Sequence, residues 1–201
     1  MDQAFQSVSP AVDAITAEII MHRLCAIPNL IDKNITRTAF SILISEYKDY
    51  AVGIVDREGR LVAQCSGGLP IFIANALSAA VREGLQIYGE EGLRHGDVVI
   101  NNRAATMGQH LNNVVMYTPI FWKGRIVAFS ALRTHWPDIG GGFQRGNKTT
   151  EIYQEGIQFR NSKIYARDEI NIELERLIRY NTRKSEDTFG DLEAQVAGCR
   201  L

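Results

Sequence analysis

Two apolar, β-branched runs, residues 114–122 and 125–132, flank the dipeptide Lys123-Gly124, and nothing else in the chain constrains the fold as strongly. A two-residue connection forces such runs into neighbouring antiparallel strands, and glycine supplies the positive φ that a tight hairpin turn needs. Hairpin geometry then sets the start of the first strand beside the end of the second. The segments brought together this way are Gly108-Gln109-His110-Leu111-Asn112-Asn113 and Arg133-Thr134-His135-Trp136-Pro137-Asp138-Ile139-Gly140-Gly141-Gly142. Each carries one histidine in polar, glycine-containing surroundings. Glycine lets backbone approach a ligand but adds no side chain to a core.

The rest of the chain supplies layers for this hairpin. Residues 1–10 read as an N-terminal tail and 11–201 as one domain. Ser9-Pro10 suits a helix start, with Asp13 in the first turn. Apolar residues at helical spacing follow, from Val12 to Ile35, and Pro28 predicts a kink or a junction of two helices there. Residues 49–54 and 61–65 read as strands joined around Gly59, 73–88 as an amphipathic helix, and 97–100 as a short strand. Residues 137–150 read as a long loop, and 170–180 and 186–197 as closing helices. The elements interleave without a regular βαβ alternation. The predicted class is therefore α+β: a mixed, largely antiparallel sheet with N-terminal helices and two C-terminal helices.

Composition sets outer limits. With 201 residues, 45% of them apolar and 22% charged, the chain can bury a core. A net charge of −1 without a basic cluster gives no footprint for nucleic acid or an anionic membrane. Cys25, Cys65 and Cys199 are odd in number and widely spaced, against a disulfide framework or a zinc ribbon and in keeping with a reducing compartment. No basic, apolar leader and no apolar run near 18 residues stands out, so neither a signal peptide nor a membrane span is expected, and the expected location is cytoplasmic.

His22 and His95 lack ligand-type neighbours at a useful spacing and read as structural or solvated. His110 and His135 differ, because the hairpin juxtaposes them and each has an oxygen-bearing residue three positions on, Asn113 and Asp138. Zinc, manganese and iron take imidazole nitrogen together with carboxylate oxygen. Spacing alone leaves two readings: a metal site, or a pair of hydrogen-bonded histidines. Gly141 and Gly146 have phosphate-loop separation, but Asn147 stands at the lysine position and Lys148-Thr149 come one residue late. Cys25 and Cys65 lie in apolar segments and read as packing.

Taken together, the motifs resemble the hydantoinase B / 5-oxoprolinase / acetone carboxylase alpha-subunit family. The matching pieces are Arg37-Thr38-Ala39-Phe40-Ser41, residues 49–64 with Asp56 and Gly59-Arg60-Leu61-Val62-Ala63-Gln64, Gly96-Asp97, Gly108-Gln109-His110-Leu111, Arg133 with His135, Asp138-Ile139-Gly140-Gly141, residues 150–156, and Gly190-Asp191-Leu192-Glu193-Ala194-Gln195. The resemblance covers roughly residues 11–198. It implies the metal-bearing component of an ATP-dependent cyclic-amide hydrolase of 5-oxoprolinase or hydantoinase type, with ATP handled by a hydantoinase A-like partner. An alternative is the alpha subunit of an ATP-dependent ketone carboxylase. Carried over residue by residue, the ligands of a divalent ion (zinc, manganese or iron) fall on Asp49, His110, Asn113 and His135. Asp138 is then a further ligand or the acceptor that orients His135. Two departures stand out. The family has aspartate at position 113, and an Asn-Asp-Pro turn where this chain has Asn102-Arg103-Ala104, so Arg103 is expected to add positive charge near the site. Family members are also longer, which raises a third reading, a truncated, non-catalytic partner-binding fragment.

Overall fold

The computed structural model describes residues 12–67, 74–142 and 149–201. Helix α1, Ala14–Thr38, opens it; Asp13 is the cap rather than a first-turn residue, its carboxylate accepting from the Thr16 amide at 3.0 Å. Ser9-Pro10 lie outside the described residues. Of the two expectations at Pro28, a kink or a junction of two helices, the junction does not occur: one helix runs through Pro28. It is also long and apolar enough to cross a membrane by length and composition, with a mean hydropathy of 1.3 in its best window. No unbroken apolar run of that length exists in the sequence, but a helix averages over the polar residues that interrupt its apolar ones, such as His22 and Arg23.

After the short α2 (Ile42–Ser45) come β1 (Tyr50–Asp56), β2 (Leu61–Gln64), α3 (Ala74–Tyr88), β3 (Val98–Asn101) and α4 (Ala104–Met107). The central hairpin is β4 (Asn113–Trp122) and β5 (Arg125–His135). The chain closes with β6 (Ser162–Ala166), β7 (Glu169–Ile170), α5 (Ile172–Asn181) and α6 (Ser185–Arg200). The seven strands form one sheet in the order β2-β1-β5-β4-β3-β6-β7, and every neighbouring pair is antiparallel. Lys123 and Gly124 both have positive φ, +47° and +77°, the signature of the two-residue turn that matches strand twist.

Side-chain alternation gives the sheet two apolar faces. Tyr50, Val52, Val114, Met116 and Leu132 pack with Ile31 and Ile35 of α1 and Leu192 and Val196 of α6. Val55, Val115, Tyr117, Phe129 and Ala131 pack instead with Ala76, Leu77, Ala80 and Val81 of α3. An antiparallel sheet covered on both sides is thus an α+β arrangement with the β4–β5 hairpin near its middle. Its N-terminal helices and its C-terminal pair, α5 and α6, stand where the sequence placed them.

Candidate functional site

Three backbone segments converge at one end of the central strands. Strand β5 does not stop at Leu132 but continues through Arg133, Thr134 and His135, so His135 is a strand residue rather than the first of a loop. Its direct partner across the hairpin is Asn113, the first residue of β4. On its other side the His135 amide donates to the Asp49 carbonyl, just ahead of β1, at 3.0 Å. His110, in the turn before β4, completes the group: its ring centroid lies 5.0 Å from that of His135. All four residues carried over as ligands therefore belong to one neighbourhood.

The oxygen-bearing members have another partner there. Arg133, 5% exposed, lies on the same sheet face as Asn113 and His135 by alternation. Its guanidinium donates to Asp49 Oδ1 at 3.2 Å and, very closely, to Asn113 Oδ1. In sequence Arg133, which joins the two oxygen donors, is no more than a motif marker. Glu155 is a second such residue: its Oε2 accepts from the Leu111 amide at 2.9 Å, next to His110.

Two expected neighbours point elsewhere. Asp138 spends its oxygens on the Arg183 amide and guanidinium, at 2.6 and 2.9 Å, and on the Gly140 amide. It anchors the α5–α6 junction, and none of these bonds reaches His135. Arg103 donates to Glu83 at 2.9 Å, a carboxylate it shares with Arg160, and none of its hydrogen bonds reaches Asp49, His110, Asn113 or His135. Asn102 has a role the sequence did not disclose. Its side chain donates to the carbonyls of Leu111 (2.8 Å) and Ile157 (2.9 Å) and accepts from the Phe159 amide (2.6 Å), fastening the His110 turn to the segment beyond the loop. In the glycine loop, Gly140 bridges to Gly156, both at positive φ. The rest of this loop, residues 143–148, where the spacing of a phosphate loop already failed at Asn147, lies outside the described residues.

Burial governs the charge state of the imidazoles. It lowers His110 below the usual histidine range, as does the Arg133 charge, against the pull of Glu155 and Asp49. It pushes His135 down to about 4, with His110 and Arg133 acting in the same sense and Asp49 opposing. Both rings are accordingly neutral at pH 7, the state that can ligate a cation or accept a proton. His135 Nδ1 is buried without a partner, which suits a ligand that would complete it. The donor set is thus two neutral imidazoles ready for a cation and two oxygens engaged by Arg133. Among the described residues no group of three or more His, Cys, Asp or Glu side chains stands assembled for a metal.

Comparison with known proteins matches residues 13–201 to the Hydantoinase B/oxoprolinase family. Caprolactamase subunit beta of Pseudomonas jessenii is 28% identical over 192 residues, covering 94% of this chain and 32% of its own length. The crystal structure of ATP-dependent caprolactamase from the same organism is similar at a TM-score of 0.83 and 27% identity, covering 94% of this chain and 33% of that one. The nucleotide-free structure of acetone carboxylase gives a TM-score of 0.85 at 18% identity, covering 94% and 25%, a likeness of fold alone. The chain spans about a third or less of the length of these relatives.

Proposed function

The chain belongs to the hydantoinase B/oxoprolinase family, and from that premise we propose that it supplies the ring-opening half of an ATP-dependent cyclic-amide hydrolase of oxoprolinase or hydantoinase type. The observation that carries the reading is the meeting of His110 and His135, 5.0 Å between ring centroids, with Asp49 at the junction of β1, β5 and β4. The name of one relative, a beta subunit, supports a two-component enzyme. In this reading an A-like partner binds ATP and phosphorylates the lactam oxygen. That weakens amide resonance and leaves the ring carbon open to water.

The residues of this chain then have definite tasks. Neutral His110 and His135, with Asp49, would hold a divalent ion, whose chemistry is to supply hydroxide or to steady a developing oxyanion. Asn113 can ligate only through an uncharged carbonyl. Arg133 holds Asp49 and Asn113 in place and contributes a fixed positive charge where negative charge develops on the substrate. Glu155 holds the Leu111 amide and so the turn bearing His110.

The test is reconstitution of the full protein with its A-like partner, ATP and magnesium. The substrates are 5-oxoproline, hydantoin and caprolactam, with acetone plus bicarbonate as the carboxylase arm. Lactam opening that needs both components, and that falls at least about a hundredfold in His135→Ala as expected for a positioned acid–base or ligand group, is the result expected. Carboxylation without lactam opening contradicts the hydrolase assignment. A specific observation favours a second reading, a non-catalytic partner-binding component. Arg133 engages both oxygen donors, and Asn113 removes one carboxylate charge. Full lactam opening by His135→Ala would leave that reading standing.

A further inference from the structure

Gln195 is fully buried on α6, among apolar neighbours such as Leu192, Val196 and Cys199. Burying a carboxamide is costly unless its hydrogen bonds are made. Here both donors and both acceptor positions of the amide are used. Nε2 donates to the Val114 carbonyl at 3.0 Å and the Leu132 carbonyl at 2.9 Å. Oε1 accepts from Thr134 Oγ1 at 2.8 Å and the Trp136 indole Nε1 at 3.2 Å. The four partners share one property: each is the chain neighbour of a residue in the candidate site. Val114 follows Asn113, Leu132 and Thr134 flank Arg133, and Thr134 and Trp136 flank His135. Side chains alternate across the sheet, so Gln195 grips from the α6 face the backbone whose intervening side chains form the site on the other.

We propose that Gln195 is a positioning residue for the His110–His135 site. By tying Val114, Leu132, Thr134 and Trp136 together, it sets the direction in which Asn113, Arg133 and His135 project. A leucine would fill the same volume but would leave two strand carbonyls, a hydroxyl and an indole N–H without these partners. The site would then lose its register while the core kept its packing. The inference rests on the reading of His135 as a site residue, and its test needs neither turnover nor a bound ion.

The experiment measures carbethoxylation of His135 by diethyl pyrocarbonate, read by peptide mass mapping on the full protein. Wild type, Gln195→Leu, Gln195→Glu and Leu192→Ala are compared. Leu192→Ala perturbs the same helix and the same core but leaves the four hydrogen bonds of Gln195 in place. The Trp136 indole proton, followed by NMR, reports whether the Gln195 bond is broken. With that bond broken, Gln195→Leu is expected to raise the His135 rate at least about fivefold, the equivalent of one net hydrogen bond. Gln195→Glu, which sets a buried carboxylate against the Val114 and Leu132 carbonyls, gives a rise at least as large, and Leu192→Ala leaves the rate near wild type. Should Gln195→Leu prove too unstable to assay, Gln195→Met, of similar length and without these hydrogen bonds, carries the test. An unchanged His135 rate in a variant whose indole signal has moved overturns the proposal. So does an equal rise in Leu192→Ala, which would reduce Gln195 to general packing. Loss of lactam opening tests the proposed function and leaves this result untouched.

Discussion

Position 113 shows how one atom exchange alters a site. An aspartate there would face Arg133 together with Asp49, two negative charges against one positive. Asparagine leaves Asp49 and Arg133 balanced, with both imidazoles neutral. A divalent ion entering the present site meets Arg133 against Asp49 and, beside His110, Glu155, and its affinity rests on the imidazoles and whatever share of Asp49 it can draw from Arg133. Asn113→Asp adds a charge interaction on the order of a few kcal/mol in a partly buried setting, and about 1.4 kcal/mol is tenfold in affinity. Calorimetric titration is therefore expected to show zinc or manganese binding tightened at least about tenfold, with the gain lost when His110 or His135 is also alanine. Equal affinity in wild type and Asn113→Asp would remove residue 113 from the ligand set.

Among the elements, α3 is joined to β3, α4 and the segment before β6 by one carboxylate. Glu83, 8% exposed, accepts from Asn101, Arg103, Thr106, Arg160 and Asn161. Burial pushes its carboxyl up, but the bonds from Thr106, Arg160, Asn101 and Arg103 outweigh burial and hold it below the usual glutamate range. A depressed carboxyl stabilises the fold fully above the unfolded value, about 4.3, and that contribution is lost as pH falls through the folded value. Glu83→Gln is expected to lower stability by roughly 1–3 kcal/mol at pH 7 and to flatten the loss of stability below pH about 4.3. Denaturation with urea across pH checks both; an acid limb as steep as wild type would mean that Glu83 does not control it. The same scale shows what sequence could disclose. The hairpin was legible because Lys123-Gly124 separates two long β-branched runs. The last turnings of β5 were not, because Arg133, Thr134 and His135 replace apolar alternation with polar side chains that answer to the site. Strand β6 was hidden by Ser162 and Lys163, with Ile164 its one fully buried residue, and β7 is only Glu169–Ile170. The partners of Arg133 and Gln195, and the Arg183 partner of Asp138, lie 20 to 84 residues away in sequence, a pairing no local pattern encodes.

For the whole molecule, the asymmetry of α1 is the largest feature still unaccounted for by the sheet. Its second half packs through Ile31 and Ile35, whereas every residue from Val12 to Arg23 is exposed, including Ile15 at 72%. Among the described residues nothing covers this end, and contiguous apolar surface of that kind promotes association. Ile15→Lys with Ile19→Lys is expected to reduce concentration-dependent association in analytical ultracentrifugation, while thermal stability shifts little, since exposed substitutions stay within about 0.5 kcal/mol. A marked loss of thermal stability would show that this face is packed in the folded chain. The site, at the opposite extreme of organisation, draws on the start of β1, on β4 and β5 and on the turn before β4 at once, so it exists only when these three strands are paired. The most direct measurement of the account is a crystal structure of the full protein grown with manganese or zinc, with anomalous diffraction recorded at that metal's absorption edge. The account predicts an anomalous peak about 2.0–2.2 Å from a ring nitrogen of both His110 and His135 and within reach of an Asp49 oxygen. A peak bound elsewhere, or His110 and His135 without metal under saturating conditions while Arg133 remains on Asp49 and Asn113, would contradict it.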